Sequence, residues 1–172
     1  MNLDIIRDYF FKYNTFDLYE ESKEMVQRTI INADILKEFN EEVVCSIGGL
    51  LIFGKDHVKN LPQNGISFAH FNGKDRNYSI IGSKIRVFMF DDRIEFRSPG
   101  RLPNTVTIEK MKIGVSYARN PFLVKYMENM RYIDQLGRGI PMILKNMKDV
   151  GAAEPSLREI GEEFILTIYK NY

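Results

Sequence analysis

The sequence predicts an α+β fold, because segments with the two-residue period of strands alternate with segments that start on helix-capping residues. The clearest strand pair lies in residues 85–103, where apolar and polar residues alternate on both sides of Asp91-Asp92. A last strand at Glu163–Tyr169 is expected to return to the same sheet. Helices are predicted after Asn2 and at Asn120-Pro121, where a capping side chain precedes the first turn.

The strand pair is predicted to be a hairpin with one face in a core. In its first strand Ile85, Val87 and Met89 form one alternating set, which we expect on the core face. Its second strand is expected to end at Ser98-Pro99-Gly100, because proline removes a backbone donor and glycine permits a sharp turn. A ligand bound beside this turn would meet bare backbone.

Composition and charge exclude several classes of protein. With 44% apolar residues among 172, the chain is long enough for one good core or two small ones. Its 24 basic and 23 acidic residues predict no strong basic field, so binding of a nucleic acid would depend on a local patch. Cys45 is the single cysteine, which excludes an internal disulfide framework, argues against a zinc site with His57 and His70, and favours a reducing cytoplasm. No window approaches the ~20 apolar residues of a membrane helix.

Helices are predicted in the first part of the chain. The helix after Asn2 is expected to break at residues 13–15. A second helix is expected to start after Thr15 or Asp17 and to include Leu18, with acidic residues near its positive end.

A hairpin is predicted about residues 40–42, followed by a buried apolar run over 46–54. We expect this run to form a short helix closed by a glycine. Its glycine pair at 48–49 is best explained by close backbone packing, because a phosphate loop would continue with Gly-Lys-Ser/Thr.

The polar, turn-rich residues 72–75 follow a predicted strand over 66–71 and are expected to separate two halves of the chain. One helical turn is predicted at 108–112. A last long helix is predicted to be opened by residues 136–141, to include Ile140, and to end before Gly151.

Gly137 and Gly139 stand immediately before this last helix. The first turn of a helix has unpaired N–H groups and a partial positive charge, and glycine lets an anion come close. Taken alone, Gly-x-Gly before a helix is more often a tight turn than a nucleotide site, so both interpretations stay open at this point.

Three long segments carry a family resemblance: FGKDHVKNLPQNGISFAHFNGKD at 53–75, IRVFMFDDRIEFRSPGRLPNTV at 85–106 and ARNPFLVKYMENMRYIDQLGRGIPMILKNMKDVGAAEPSL at 118–157. Together they resemble the bacterial and archaeal regulators that are labelled RecG-related helicases. That family joins an N-terminal Schlafen/AlbA-like DNA-binding domain to a C-terminal ATPase-like domain of the GHKL class.

The resemblance implies a GHKL-like (Bergerat-type) α/β sandwich fragment with a mixed sheet over residues 76–172, preceded over 1–75 by the end of a Schlafen/AlbA-like α/β domain. It also implies an ATP site, with one glycine loop near the adenine base of the nucleotide and a second loop that presents backbone donors to phosphate. Arg119 or Arg138 would add charge-assisted contacts. The implied cofactor-binding residues are Ser98, Gly100, Arg119, Asn120, Gly137, Arg138 and Gly139.

Three departures from the family pattern predict that hydrolysis is lost. The GHKL helix with its glutamate base and magnesium-binding asparagine is absent before the hairpin, where Asp75-Arg76-Asn77-Tyr78-Ser79 resembles the segment that follows that helix. Ser98 stands where classical members use an adenine-binding aspartate. The chain also starts late relative to the family. The resemblance therefore implies no catalytic residue, no ligand set for magnesium, and ATP binding that is weak or lost.

The leading hypothesis is a shortened, cytoplasmic transcriptional regulator of this family that does not hydrolyse ATP. A working ATPase is the first alternative, and its carboxylate would come from Glu95, Glu109 or Asp134. A DNA-binding module is the second alternative. A homo-oligomer formed through residues 78–87 is also predicted, because the absent helix would leave apolar surface uncovered. The basic residues available for a DNA-binding patch are Lys55, Lys59, Lys74, Arg76 and Lys84.

Overall fold

A computed structural model describes residues 1–74, 84–103, 105–134 and 137–170. The helices and strands are numbered in chain order. The described elements are α1 (Leu3–Asn14), α2 (Lys23–Asn32), β1 (Leu36–Phe39), β2 (Glu42–Cys45), α3 (Ile47–Phe53), α4 (His57–Asn60), β3 (Ile66–His70), β4 (Ile85–Met89), β5 (Arg93–Pro99), α5 (Ile108–Lys112), α6 (Pro121–Asn129), α7 (Gly139–Asp149), β6 (Ser156–Ile160) and β7 (Glu163–Tyr169).

The chain divides into two units. The first contains Met1–Pro62 and Ala118–Asp134, and the second contains Gln63–Tyr117 and Gln135–Tyr172. This division differs from the expected boundary at residue 75, and the assignment of the two halves to Schlafen/AlbA-like and GHKL-like domains stays a prediction. Among the described helices, none combines the length and the apolar character that a membrane span requires.

Helix α1 begins and ends as the sequence predicts. Oδ1 of Asn2 accepts hydrogen bonds from the N–H groups of Asp4 and Ile5 at 3.2 and 3.4 Å. The helix ends at Thr15, whose φ of 53° is left-handed. The buried side chains that form the core of the first unit are Ile6, Phe10, Leu18, Ile30, Ile35 and Phe53.

The prediction that Leu18 lies in the second helix, starting after Thr15 or Asp17, is wrong. The carboxylate of Asp17 accepts a hydrogen bond from the N–H of Tyr19 at 2.8 Å, which stabilises a turn instead. Helix α2 begins later, after Ser22, whose hydroxyl caps it. Leu18 is 1% exposed, so this turn packs against the core through its side chain.

The predicted hairpin and the predicted short helix after it are both confirmed. Asn40 and Glu41 have φ values of 49° and 64° and form the turn between β1 and β2. The hydroxyl of Ser46 caps α3 by accepting a hydrogen bond from the N–H of Gly49 at 2.9 Å. A Cβ at Gly49 would overlap the backbone carbonyl of Ile35. Close packing therefore explains this glycine, as predicted.

A five-stranded mixed sheet with the order β3-β4-β5-β7-β6 organises the second unit. β3 runs parallel to β4, and the other neighbouring strands are antiparallel. The predicted hairpin is confirmed, because β4 and β5 pair on either side of Asp91-Asp92. The predicted return of the last strand is confirmed as well, since β7 pairs with β5 along its length. The α+β fold class with a mixed sheet is therefore correct.

The face of β4 that was expected in the core is the wrong one. Ile85 is 42% exposed, whereas Arg86 and Phe88 on the opposite face are 2% and 1% exposed. Arg86 can be buried because its guanidinium pairs with the carboxylate of Glu163. Phe90 is also buried on that face. Because both faces of β4 carry apolar side chains, the two-residue period could not select the buried one.

β6 lies outside the predicted strands. It pairs antiparallel with β7, with Leu157 opposite Leu166, and Gly161 lies in the turn with a φ of 59°. A glycine between two alternating segments is a hairpin signal. That signal is present in the sequence and would have predicted this strand.

Candidate functional site

The first glycine loop follows the end of β5. Ser98 pairs with Phe164 of β7, and by alternation its side chain lies on the same face as Phe96. Gly100 has a φ of 93°, a conformation that favours glycine. The sharp turn predicted at Ser98-Pro99-Gly100 is therefore confirmed.

The first loop is tied to the turn between β6 and β7. The N–H of Gly100 donates to the carbonyl of Glu162 at 2.7 Å, and the N–H of Leu102 donates to Oε1 of Glu159 at 3.0 Å. Arg101 forms an ion pair with Glu162 at 2.8 Å. These acidic residues were not identified from the sequence, because the strand that positions Glu159 was not predicted. Because the N–H of Gly100 already donates to Glu162, it is not available as a hydrogen-bond donor to a ligand beside this loop.

A backbone contact fixes the second glycine loop within the second unit. Gly137 has a φ of 63°, and a Cβ there would overlap the carbonyl oxygen of Gly114. Gly114 has a φ of 93°, and a Cβ there would lie 3.3 Å from the carbonyl oxygen of Gly137. No side chain fits at position 137 unless the backbone moves. The role of Gly114 could not be predicted from the sequence, since a loop glycine does not reveal a distant partner.

Helix α7 begins at Gly139, directly behind this loop. Its N-cap residue is Arg138, whose side chain makes no capping hydrogen bond to the helix within the described part of the chain. A Cβ at Gly139 would meet no described atom within 4 Å. The first turn of α7 therefore places the positive end of a helix dipole beside open space. The structure brings Gly137, Arg138 and Gly139 together in one loop and helix start.

Arg119 and Asn120 belong to the first unit, whereas the two glycine loops belong to the second. Asn120 is the N-cap of α6, as predicted, and its Oδ1 accepts a hydrogen bond from the N–H of Leu123 at 3.0 Å. Arg119 and Asn120 line a cavity of about 440 Å³ in the first unit, together with Lys37 and Cys45. Their assignment to a nucleotide site stays a prediction.

Alanine in place of Asn120 is expected to lower the free energy of unfolding of the first unit by about 1 kcal/mol, because α6 loses its capping acceptor. Asn120→Ser keeps an acceptor at the same position and is the matched control, so it is expected to retain most of the stability. Urea denaturation followed by circular dichroism measures both variants. Equal losses would contradict the capping role.

Two of the three carboxylates considered as general bases, Glu95 and Glu109, have surroundings that lower their pKa. Glu95 is 4% exposed and accepts hydrogen bonds from Arg93 and Arg97 at 2.8 and 2.7 Å. Burial raises the pKa of Glu95, but these hydrogen bonds and charges outweigh it, so the pKa lies below its ordinary value. Glu109, in the first turn of α5, has its pKa lowered by a backbone hydrogen bond. Asp134 lies in the first unit.

In the described ranges, no cluster of three or more histidine, cysteine, aspartate or glutamate residues could hold a metal ion. The segment Asp75-Arg76-Asn77-Tyr78-Ser79, which carries part of the family resemblance, lies outside the described residues. Arg76 of the predicted basic patch and residues 78–83 of the predicted oligomer surface lie outside them too. These predictions stay predictions.

Comparisons with known proteins relate the chain to one family and one fold. A family model described as "Putative ATP-dependent DNA helicase recG C-terminal" matches residues 82–168, which is just over half of the chain. No curated protein sequence matches the chain. The crystal structure of the DIP2311 protein from Corynebacterium diphtheriae is similar, with a TM-score of 0.60 and 16% identity. The match covers 88% of this chain and 40% of that chain, and at this identity it shows a likeness of fold alone.

Proposed function

Because the chain belongs to the family described as putative ATP-dependent DNA helicase recG C-terminal, we propose that its second unit binds ATP at the start of α7 and does not hydrolyse it. The protein is then a regulator of the transcriptional type, in which occupancy by the nucleotide, and not its turnover, carries the signal. DNA is the partner that this role implies.

The geometry of Gly137 and Gly139 carries the proposal. The contact between Gly137 and Gly114 gives the loop a fixed course, and Gly139 leaves open space at the start of an 11-residue helix. A polyphosphate can accept hydrogen bonds from the N–H groups of such a first turn, and the helix dipole favours its negative charge. Arg138 is exposed beside this turn and supplies a cation for a charge-assisted contact.

Binding without hydrolysis is supported by two of the three carboxylates considered as the general base. A general base must accept a proton near neutral pH, and a lowered pKa makes a carboxylate a poor acceptor. Glu95 is occupied by two arginines, and Glu109 has a lowered pKa. In this proposal the adenine of ATP lies near the first glycine loop and its phosphates lie near the second. Magnesium, where it binds, would rely on the phosphates themselves for most of its ligands.

Calorimetric titration with ATP, with and without Mg²⁺, tests the proposal. The unaltered chain is expected to release heat on binding. Gly139→Glu is expected to weaken binding by at least about tenfold, because a carboxylate then stands where the phosphates bind. The matched control is Val150→Glu, which adds the same charge at the C-cap of α7, at a side chain that is 66% exposed. It is expected to change the affinity by less than about threefold, since it lies about 16 Å further along the helix, beyond the distance of about 10 Å over which salt screens a surface charge.

Absence of heat in the unaltered chain ends the proposal, and equal losses in the two glutamate variants would contradict the site at Gly139. Phosphate release is measured in the same samples, and none is expected above the rate without protein. Steady release that disappears in Glu95→Gln, Glu109→Gln or Asp134→Asn would establish the working ATPase instead.

A further inference from the structure

One segment of the chain leaves the second unit, joins the first and returns. Residues 118–134, which contain α6, belong to the first unit, whereas the chain before and after them belongs to the second. Gly114 and Gly137 flank this segment, and their backbones are in contact, because a Cβ at Gly137 would overlap the carbonyl oxygen of Gly114. We call residues 118–134 the α6 segment and the contact between the two glycines the glycine clasp.

The linkers between the glycine clasp and the α6 segment are short. Residues 115–117 join Gly114 to the start of the segment, and residues 135–136 join its end to Gly137. An extended chain advances at most about 3.6 Å per residue, so these linkers reach no further than about 14 and 11 Å. With so little slack, a displacement of the α6 segment is expected to pull on the glycine clasp.

Helix α6 packs on aromatic side chains of α1 and α3 within the first unit. The ring of Tyr126 lies 5.1 Å from that of Tyr9 and meets the ring of Phe53 edge-on at 5.8 Å. Nδ2 of Asn129 donates a hydrogen bond to the hydroxyl of Tyr9 at 2.7 Å. Phe122 and Tyr126 are partly buried against the core of the first unit. These contacts fix the docked position of α6.

We propose that docking of α6 on the first unit and binding of ATP at the start of α7 strengthen each other through the glycine clasp. The inference rests on the proposed function, because the ligand is the nucleotide placed at Gly137, Arg138 and Gly139. A docked α6 anchors the far ends of both linkers, so closing the clasp costs less conformational entropy. In return, a nucleotide that orders the loop at Gly137 orders one end of the α6 segment and lowers the cost of docking it.

The coupling has to act equally in both directions. The factor by which ATP strengthens the docking of α6 must equal the factor by which docked α6 strengthens the binding of ATP. Couplings of this kind usually amount to roughly 5- to 150-fold. We expect about fivefold, at the lower end of that range, because a single backbone contact connects the two events.

Hydrogen exchange of the unaltered chain, with and without saturating ATP, tests the first direction. The amides of α6 are expected to exchange about fivefold more slowly when ATP is bound, because the docked state is then more populated. The amides of α2, which also belongs to the first unit, are expected to keep their rates. Exchange in α6 that ATP leaves unchanged, or that slows only as much as exchange in α2, overturns the proposal.

Calorimetric titration of docking variants with ATP tests the second direction. Tyr126→Ala removes the ring contacts of α6 and is expected to weaken ATP binding by about fivefold, the same factor as in the exchange experiment. The matched control is Tyr132→Ala, which makes the same change in the α6 segment at a side chain that is 67% exposed. It is expected to leave the affinity unchanged.

Gly48→Ala repeats this test from the first unit alone, without a change in the α6 segment or in either glycine loop. A Cβ at Gly48 would lie 2.8 Å from Cδ1 of Phe122, so the ring or the helix that carries it must move. The variant is expected to weaken ATP binding in the same direction as Tyr126→Ala. If both variants bind ATP as tightly as the unaltered chain, docking of α6 does not support the site.

A measurement without nucleotide separates this inference from the proposed function. Alanine at Gly114 strains the glycine clasp from outside the ATP loop, because its φ is 93° and a Cβ there would lie 3.3 Å from the carbonyl oxygen of Gly137. Gly114→Ala is therefore expected to speed the exchange of the α6 amides about fivefold. Gly151→Ala is the matched control, since its φ of 68° is also left-handed but a Cβ would meet no described atom within 4 Å.

The two proposals fail on different observations. If the unaltered chain binds no ATP, the proposed function fails, and exchange in Gly114→Ala still decides whether the glycine clasp is coupled to α6. If ATP binds but Gly114→Ala leaves the exchange of α6 at the rate of Gly151→Ala, the coupling is overturned and the proposed function stands.

Discussion

Alanine at position 137 is expected to lower the free energy of unfolding of the second unit by about 3 kcal/mol or more. Two costs combine at this position. The φ of 63° at Gly137 is a left-handed conformation that alanine adopts with strain. The added Cβ would also overlap the carbonyl oxygen of Gly114, which belongs to the backbone and cannot rotate away. The loop before α7 must therefore shift, and ATP binding is expected to fall with it.

Gly139→Ala is the matched control for this prediction. A Cβ at Gly139 would meet no described atom within 4 Å, and the residue already lies in the first turn of α7. Its replacement is expected to be neutral or to stabilise by up to about 1 kcal/mol, because alanine reduces the entropy of the unfolded chain. Urea denaturation of both variants decides the matter. If alanine is tolerated equally at both positions, the backbone contact between Gly114 and Gly137 is not what fixes the loop.

Most helices and strands could be predicted because their signals are local. Asn2, Ser46 and Asn120 announce helix starts, since a capping side chain satisfies N–H groups only a few residues away. The turns at Asn40-Glu41 and Asp91-Asp92 follow from strand alternation on either side. The start of α2 was predicted wrongly because Asp17 and Ser22 are both good capping residues. The sequence does not show that Leu18 packs in the core from a turn, which leaves Ser22 as the cap.

The buried face of the sheet could not be predicted, because charge pairing across strands decided it. Arg86 and Glu95 look like solvent-facing residues in the sequence. Arg86 can be buried because it forms an ion pair with Glu163 of β7, and Glu95 can be buried because Arg93 and Arg97 of the same strand neutralise its charge. A pairing between strands about 70 residues apart has no local signature.

Only the part of the candidate site with a local pattern in the sequence could be predicted. The glycines at 137 and 139 stand next to a helix start, so the pattern itself indicates a backbone site. The two loops are held by Gly114, Glu159 and Glu162, which come from other segments of the chain. The residues next to them in the sequence do not indicate these contacts. Loop anchors of this kind become visible only when the topology is known.

Replacing Glu95 by glutamine is expected to lower the free energy of unfolding of the second unit by about 3 kcal/mol. Its carboxylate lies between Arg93 and Arg97, which are 20% and 15% exposed, at 2.8 and 2.7 Å. The same guanidinium groups lie 4.0 Å from the ring centre of Phe90 and 5.6 Å from that of Phe88. Without the shared carboxylate, two largely buried cations lose part of their compensation.

Glu162→Gln is the matched control, because it makes the same chemical change in the second unit at a side chain that is 74% exposed. Its ion pair with Arg101 is expected to contribute less than about 0.5 kcal/mol. Urea denaturation gives the overall cost, and hydrogen exchange of the β5 and β7 amides locates it in the sheet. A loss in Glu95→Gln no larger than that in Glu162→Gln would contradict the proposed importance of the buried pair.

The same carboxylate predicts sensitivity to acid. Burial raises the pKa of Glu95, but the hydrogen bonds and charges of Arg93 and Arg97 outweigh it, so the folded pKa lies below the value of about 4.3 in an unfolded chain. Such a group stabilises the fold fully above that unfolded value, and its contribution is lost as the pH falls through the folded pKa. The free energy of unfolding is therefore expected to decline below about pH 4.3, and to decline less steeply in Glu95→Gln. If the free energy of unfolding falls equally steeply with pH in the two proteins, Glu95 does not contribute to the sensitivity to acid.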